Sequence, residues 1–174
     1  GLCAGISAYK TIQLVSYFVQ SGVQVEVIAT PNAMNFVGSA SFRGLTGRDV
    51  RTSFWQGAVT DEKAVHIELG LWAEVFVIAP ATATTMGKMS VGIADNLVVS
   101  TFLAVQCPVL LAPAMNPRMW KHQAVRDQIK RLEDFGTRFI GPDTGHMSCG
   151  EPGPGRMSEP EEIYKECVSI LTEG

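Results

Sequence analysis

The sequence is organised around the stretch Val75-Phe76-Val77-Ile78-Ala79-Pro80-Ala81-Thr82-Ala83-Thr84-Thr85. Its first five residues form an unbroken apolar run, which is typical of a strand covered on both faces. Small residues and three threonines follow, and an apolar pattern at helical spacing then continues over roughly 84–105. A buried strand that passes directly into a helix is the repeating unit of an α/β domain.

The same alternation extends outward on both sides of this stretch. Predicted strands cover 1–4, 23–29, 109–112 and 138–140, and predicted helices cover 7–21, 117–135 and 160–171. Strands separated by helices imply parallel pairing with right-handed crossovers. We therefore predict an α/β fold: one Rossmann-like (flavodoxin-like) domain over 1–174, with a doubly wound parallel sheet and helices on both faces. The first strand begins abruptly at Gly1, so we expect it to be truncated and the natural start to precede it.

The composition excludes several classes of protein. The 174 residues include 14 basic and 17 acidic side chains, a balance that argues against a nucleic-acid binder. Apolar residues make up 46% and charged residues 18%, so a disordered chain is not expected. The apolar runs fall well short of the roughly 20 residues of a membrane-spanning helix, and no signal peptide is evident, so we expect no membrane association.

The four cysteines, at positions 3, 107, 149 and 167, show no CxxC spacing. The pattern indicates neither a zinc ribbon nor a thioredoxin-type pair, and no metal site is predicted. In a chain of this size the cysteines are interpreted as reduced thiols of a cytoplasmic protein. Cys107 and Cys167 occupy predicted core positions. Cys149 lies in a loop over 144–158 that is rich in Gly and Pro, where an accessible thiol can act as a nucleophile or proton donor.

Small polar turns follow the predicted strands. Gly5-Ile6-Ser7 leads into a helix and exposes backbone N–H groups that suit a phosphate, although a plain tight turn fits the same residues. Thr30 and Asn32 follow the next strand at the same edge, where open α/β sheets bind ligands. The hydroxyls within 82–85 could cap a helix or contact a ligand, and capping is the commoner use.

A further motif, Pro113-Ala114-Met115-Asn116-Pro117-Arg118-Met119-Trp120, follows another apolar strand. Pro117 disfavours helical geometry at Asn116, whose amide could then direct a donor and an acceptor into a cleft. The alternative is an ordinary loop with Met and Trp side chains in the core. His66 stands alone on a predicted helix, a position where histidine is commonly structural.

Together these motifs resemble those of the flavin-containing cysteine decarboxylases. Residues 113–120 fit the PxMNxxMW motif of that family at every fixed position, and residues 80–85 are similar to its PASANT motif. Thr82 there replaces Ser, and Thr84 replaces Asn. His66 stands where the family places its essential histidine, and Cys149 lies in a loop that resembles its substrate clamp. The resemblance is most marked for the branch that serves bacterial coenzyme A biosynthesis, the phosphopantothenoylcysteine decarboxylases.

The resemblance implies a chemistry and a cofactor. In that family FMN oxidises the substrate thiol to a thioaldehyde, the neighbouring carboxylate leaves as carbon dioxide, and the enethiol is then reduced. This chain would convert 4'-phosphopantothenoylcysteine to 4'-phosphopantetheine. FMN contacts are expected from Gly5, Ile6, Ser7, Thr30, Asn32, Thr82, Ala83, Thr84, Thr85 and Ala114. Substrate contacts are expected from Met115, Asn116, Met147, Ser148 and Cys149.

The resemblance also implies catalytic roles and partners. Asn116 would bind the substrate carboxylate, His66 would act as a base or orient the substrate thiol, and Cys149 would donate a proton in the final reduction. The family forms homo-oligomers, so we expect a trimer or a dodecamer built from trimers, with His66 reaching the flavin of a neighbouring subunit. A synthetase domain, fused or separate, is a further expected partner.

Three alternatives stay open at this point. A peptidyl-cysteine decarboxylase of the lantibiotic type stops at the enethiol, and the clamp-like setting of Cys149 argues against it. A flavin-binding regulatory subunit without activity would not need His66, Asn116 and Cys149 together. A flavin prenyltransferase shares the fold but is not expected to carry the motif at 113–120.

Overall fold

The computed structural model describes residues 1–55, 64–145, 150 and 153–173. Within these ranges the helices are α1 (Ala8–Gln20), α2 (Ser39–Thr46), α3 (Val65–Trp72), α4 (Ala83–Val91), α5 (Leu97–Ala104), α6 (Pro117–Lys121), α7 (Gln123–Asp134) and α8 (Pro160–Glu173), with a short 3₁₀ helix at Ala33–Asn35. The strands are β1 (Phe76–Ala81), β2 (Val109–Pro113), β3 (Arg138–Phe139), β4 (Asp143–Gly145) and β5 (Gly153–Arg156).

A parallel sheet forms the centre of the fold. Strands β1, β2 and β3 pair in that order, and the start of the chain lies on the other side of β1, where the Gly1 amino group donates to Val77 O at 2.7 Å. Parallel bridges then join Leu2 to Ala29 and Ile28 to Arg51. Numbered along the chain, the six segments lie in the order 3-2-1-4-5-6, which is the Rossmann order. The predicted doubly wound parallel sheet is confirmed.

Helices cover both faces of this sheet. Phe76 and Ile78 of β1 pack in a buried cluster with side chains of α3, α4, α5 and α7. The alternate residues Val77 and Ala79 pack on the opposite face with α1 and α8. Burial of each large apolar side chain contributes about 1.5–3 kcal/mol. The apolar run at 75–79 is therefore continuous because helices cover both faces of the strand, with Phe76, Ile78 and Ala79 buried and Val75 and Val77 half-buried.

Two predicted helices are each divided in the structure. The stretch 84–105 is interrupted because Gly92 adopts a left-handed conformation, with φ of +73°, that ends α4. The Asn96 side chain then caps the start of α5. The stretch 117–135 is divided at His122, whose extended backbone ends α6 and whose side chain caps α7. Apolar spacing continues across both breaks, so it did not reveal them.

Two further expectations need correction. Within the described residues, the isolated bridges of the predicted strand 23–29 are confined to Ile28 and Ala29. The region 144–158 is not simply a loop, because β4 and β5 at its two ends pair as an antiparallel ribbon. In the part of the chain that the structure describes, no helix is both long and apolar enough to cross a bilayer.

Candidate active site

The first turn of the site follows the strand segment that begins the chain. Ser7 precedes α1 and makes no side-chain cap bond, and its Oγ is buried without a hydrogen-bond partner among the described residues. A buried hydroxyl without a partner is costly, so such an atom points to a ligand or a water. The N-terminus of this 13-residue helix also presents N–H groups and a positive dipole end. Ile6 is exposed beside it, with 62% of its surface accessible.

Thr30 ends the second strand segment next to this turn. Its N–H donates to Leu2 O at 2.9 Å, which places the second loop beside the first. The Thr30 Oγ1 atom is also buried and has no partner within the described residues. Asn32 is exposed and makes no side-chain cap bond to the 3₁₀ helix that it precedes. Two buried hydroxyls therefore lack partners at adjoining loops of one sheet edge.

The threonines after β1 take up the helix-capping role. Thr82 Oγ1 accepts the N–H of Thr85 at 3.4 Å, and its hydroxyl donates to Thr85 Oγ1 at 3.2 Å. Thr84 is exposed and Ala83 is half-buried. A side chain built at Gly5 would approach Thr82 to 3.9 Å, so the first turn and this one lie side by side. The Thr82–Thr85 pair is thus a structural cap at the edge of the same crevice.

Cys3 is a group that the sequence left ambiguous. The side chain is fully buried and lies beside the polar groups of Thr85 and Thr82, which act to lower its pKa. Burial raises the pKa of the Cys3 thiol, which outweighs the lowering effect of these groups. Cys3 is therefore a neutral thiol that packs beneath the threonine turn.

The motif that follows β2 completes this edge of the sheet. The Ala114 N–H donates to Ala81 O at 3.0 Å, which joins the ends of β1 and β2. Met115 is buried, and its N–H donates to Gly155 O of β5 at 2.9 Å. Asn116 is half-buried and has extended backbone, as its Pro neighbour predicts. Its Oδ1 accepts the N–H of Arg118 at 2.8 Å and caps α6, so the amide NH₂ lies at the opposite end of the group.

The ribbon of β4 and β5 lies directly against this motif. Gly153 has φ of +155°, and a Cβ there would come within 3.0 Å of the Pro117 Cβ, so only glycine allows this approach. The ribbon therefore covers one wall of the Asn116 loop. The predicted substrate residues Met147, Ser148 and Cys149 lie outside the described residues.

His66 lies in the first turn of α3. Its ring meets Phe54 edge-to-face, with centroids 5.8 Å apart, and its Nδ1 is buried without a partner among the described residues. Within the described part of the chain, the contacts of His66 join it neither to Asn116 nor to Thr82. The structure thus brings together the turns at Ser7, Thr30, Thr82 and Asn116. The ring of His66 instead contacts Phe54, which packs against the core cluster that contains Met115.

The four turns meet where the strand order reverses, between the first segment and β1. In open α/β sheets, ligands bind in the crevice at that point. Among the described residues no group of three or more His, Cys, Asp and Glu side chains could hold a metal ion. The arrangement fits a ligand that carries a phosphate near Ser7 and Thr30 and a reacting part near Asn116.

Residues 1–172 match the sequence model of a family described as Flavoprotein. The chain belongs to the Flavoprotein family. Among its relatives, the coenzyme A biosynthesis bifunctional protein CoaBC of Bacillus subtilis is 41% identical over 161 residues, which cover 92% of this chain and 39% of that protein. The chain thus spans about two fifths of the length of the curated relatives that it matches.

Solved structures of Flavoprotein relatives share the whole fold. One of them is a cysteine-to-serine variant of a PPC decarboxylase in complex with pantothenoylaminoethenethiol. It superposes on this protein with a TM-score of 0.87 at 29% sequence identity, and the superposition covers 99% of this chain and 96% of the decarboxylase chain. The FMN-dependent cysteine decarboxylase SpaF superposes with a TM-score of 0.84 at 28% identity, covering 99% of this chain and 93% of its own. The family resemblance carried by the sequence motifs is confirmed.

Proposed function

We propose that this chain is an FMN-dependent decarboxylase that converts phosphopantothenoylcysteine to phosphopantetheine in coenzyme A biosynthesis. The observation that carries the proposal is that the Asn116 amide lies at the same sheet edge as two buried hydroxyls, Ser7 Oγ and Thr30 Oγ1, that have no hydrogen-bond partner among the described residues. The identity of 41% to a CoaBC protein supports the choice of substrate. Because the chain matches about two fifths of that protein, we further propose that it works beside a synthetase domain, fused or separate.

The residues of the first two turns fit the phosphate of FMN. Among the described residues Ser7 Oγ and Thr30 Oγ1 each have no hydrogen-bond partner, which a phosphate oxygen would supply, and the N-terminus of α1 adds backbone donors. Gly5, Ile6 and Asn32 would line the same loops, and 82–85 with Ala114 would flank the ring. When bound, the flavin supplies a two-electron acceptor and donor, which a cysteine carboxylate needs in order to lose carbon dioxide.

Asn116 would bind the carboxylate of the substrate. Its Oδ1 is engaged at the start of α6, so the end of the amide that donates faces away from that helix. An amide donor suits a carboxylate, and the hydrogen bond to a charged group is worth about 1.5–3 kcal/mol. Met115 is buried beside it and would line the pocket around the substrate thiol-bearing carbon.

Two further roles rest on the resemblance. Cys149 would donate a proton to the substrate carbon in the last step, and Met147 and Ser148 would contact the substrate with it. The solved relative with serine in place of a cysteine, complexed with pantothenoylaminoethenethiol, supports this role. His66 would act as a base or orient the substrate thiol, and its buried, unpartnered Nδ1 is consistent with such a role.

We also propose that the protein is a homo-oligomer, either a trimer or a dodecamer built from trimers. Helix α3 supports this assignment, because Ile67, Leu71 and Trp72 are 40%, 59% and 42% exposed although all are large and apolar. A contiguous apolar surface of this kind is typical of a protein interface. His66 lies in the first turn of the same helix, so an interface there would bring it near a neighbouring subunit's site. The reaction is proposed to take place in the cytoplasm, where thiols such as Cys3 stay reduced.

A second candidate is decarboxylation of a different cysteine substrate, such as a cysteine at the end of a peptide, and the TM-score of 0.84 to the FMN-dependent cysteine decarboxylase SpaF is consistent with it. One experiment separates the two functions. Purified protein is scanned for flavin absorbance and then incubated with phosphopantothenoylcysteine or with a peptide ending in Cys, while carbon dioxide release is measured. We expect bound FMN and turnover of phosphopantothenoylcysteine only. A colourless protein that takes up no added FMN, or one that acts on the peptide alone, would refute the proposal.

A further inference from the structure

The ribbon of β4 and β5 makes contacts on both sides of the site. Toward the substrate side, its Gly155 carbonyl accepts the N–H of Met115, directly before Asn116. Toward the first turn, Arg156 at the end of β5 pairs with Glu159, and the same Glu159 oxygen accepts a hydrogen bond from Lys10 Nζ at 2.9 Å. Lys10 and Glu159 are 149 positions apart in the sequence. This pair therefore joins α1 to the ribbon.

Lys10 belongs to the first turn of α1. Its N–H donates to Ser7 O at 3.0 Å, so its side chain leaves the helix one turn after the unpartnered Ser7 hydroxyl. Only 11% of the Lys10 side chain is exposed, against 44% for Glu159. A lysine buried to this degree needs its anionic partner, because an unpaired buried charge is costly.

The Glu159 side chain is not used to cap the helix that follows it. Glu159 precedes the first residue of α8, where a short polar side chain ordinarily accepts N–H groups of the first turn. Instead, Glu162 Oε2 accepts the N–H of Glu159 at 3.2 Å, and the Glu159 carboxylate turns toward Lys10 and Arg156. The Ser158 hydroxyl donates to Asp143 Oδ1 at 2.9 Å and holds the other strand of the ribbon. β4 is thus held at Asp143 and β5 at Arg156, the ends of the two strands that pair with each other.

We propose that Lys10 and Glu159 are positioning residues that couple the loop for the flavin phosphate to the ribbon beside the substrate. The inference rests on the proposed function, in which Ser7 contacts FMN and Asn116 contacts the substrate. A ligand that fixes the first turn of α1 also fixes Lys10 and, through their ion pair, Glu159. Glu159 pairs in turn with Arg156 of β5, the strand whose Gly155 carbonyl accepts the N–H of Met115. By linkage, each ligand then strengthens the binding of the other.

The test measures that mutual effect without requiring turnover. Protein freed of FMN is titrated with FMN by fluorescence, alone and with saturating phosphopantetheine, the proposed product. For the wild type we expect phosphopantetheine to tighten FMN binding about threefold to tenfold, on the scale of a partly buried ion pair. Lys10→Met keeps the apolar stem and should lose this tightening, Glu159→Gln should lose most of it, and Lys10→Arg should retain it.

Two measurements keep the interpretation specific. With FMN bound, Lys10→Met should raise the KM for phosphopantothenoylcysteine about threefold to tenfold, with a smaller change in kcat. The matched control is Glu161→Gln, which removes an exposed carboxylate in the first turn of α8, two residues after Glu159, that is paired with Lys165 at 2.7 Å. This control should leave both FMN binding and KM at wild-type values. Thermal unfolding of each FMN-free variant verifies that it is folded.

Each outcome decides the proposal. The proposed coupling is wrong if phosphopantetheine does not change the affinity of the wild type for FMN. It is also wrong if phosphopantetheine tightens FMN binding equally in the wild type, in Lys10→Met and in Glu159→Gln. If Glu161→Gln also abolishes the tightening of FMN binding, the effect is due to the overall charge of the protein and not to the pair of Lys10 and Glu159. A wild type that shows the mutual effect but releases no carbon dioxide from phosphopantothenoylcysteine would contradict the proposed function and leave the coupling standing.

Discussion

Replacing Asn116 by Asp changes the charge at the proposed carboxylate site and preserves the local fold. The Asn116 Oδ1 caps α6 by accepting the N–H of Arg118 at 2.8 Å. Asp ranks with Asn at helix N-caps, so a carboxylate oxygen can accept the same bond. The other oxygen of Asp would then face the substrate carboxylate where the wild type presents an amide NH₂.

The size of the effect follows from these charges. Two unit charges about 4 Å apart repel by about 4 kcal/mol at an effective dielectric constant of about 20. Loss of the hydrogen bond to the substrate carboxylate adds about 1.5–3 kcal/mol. Since each 1.36 kcal/mol corresponds to about a tenfold change, these two effects together should lower kcat/KM by about ten-thousandfold or more.

The assay compares two variants that both retain the cap. Carbon dioxide release from phosphopantothenoylcysteine gives kcat/KM, and a fluorescence titration checks that FMN still binds. Asn116→Ser caps α6 and removes the amide donor without adding a charge, so it should lose about tenfold to a hundredfold. If Asn116→Asp turns over at the wild-type rate, or loses no more than Asn116→Ser, the carboxylate does not bind at this residue.

Four other outcomes are expected. Ser7→Ala should weaken FMN binding about tenfold in a fluorescence titration, because the buried hydroxyl would lose a bond to a charged phosphate, and unchanged affinity would remove Ser7 from the site. Cys149→Ser should leave an enethiol that mass spectrometry identifies, because serine is a far weaker acid than a thiol of pKa about 8.5; saturated product at the wild-type rate would contradict this role. The hydrogen bond from Lys10 lowers the pKa of Glu159. The ion pair therefore stabilises the folded protein at pH values above 4.5, the ordinary pKa of glutamate, and this stabilisation is lost as the pH falls through the lowered pKa of Glu159. The Tm difference between wild type and Glu159→Gln should therefore shrink as the pH falls from neutral to well below 4.5, and a constant difference would exclude the charge as its cause. Leu71→Asp should yield smaller species in light scattering, and an unchanged mass would exclude α3 from the interface.

Patterns within a few residues of sequence predict those features of the fold that depend on neighbouring residues alone. The unbroken apolar run at 75–79 specifies a strand buried on both faces, and Pro117 specifies the extended backbone of Asn116. The breaks at Gly92 and His122 are harder to predict, since the apolar spacing continues through them. The helices are divided by the left-handed backbone of Gly92 and the extended backbone of His122, together with the side-chain caps of Asn96 and His122.

Contacts between distant segments could not be predicted from the sequence. The bond between Lys10 and Glu159 exists because the strand order places α1 beside α8, and no local pattern encodes that order. The ring contact between Phe54 and His66 depends on tertiary packing in the same way. The motif at 113–120 indicates that Asn116 matters, but only the structure shows that its Oδ1 caps α6.

The buried thiol of Cys3 offers a way to follow this site by chemical labelling. Its burial and raised pKa keep it protonated and shielded from alkylating reagents while the protein is folded. Reaction with iodoacetamide therefore requires the first strand to open, and the labelling rate follows the population of opened molecules. The turn after that strand carries Ser7, so a ligand bound there would slow the labelling by mass action. Cys3 is thus an internal reporter of occupancy that requires neither a coloured cofactor nor a substrate.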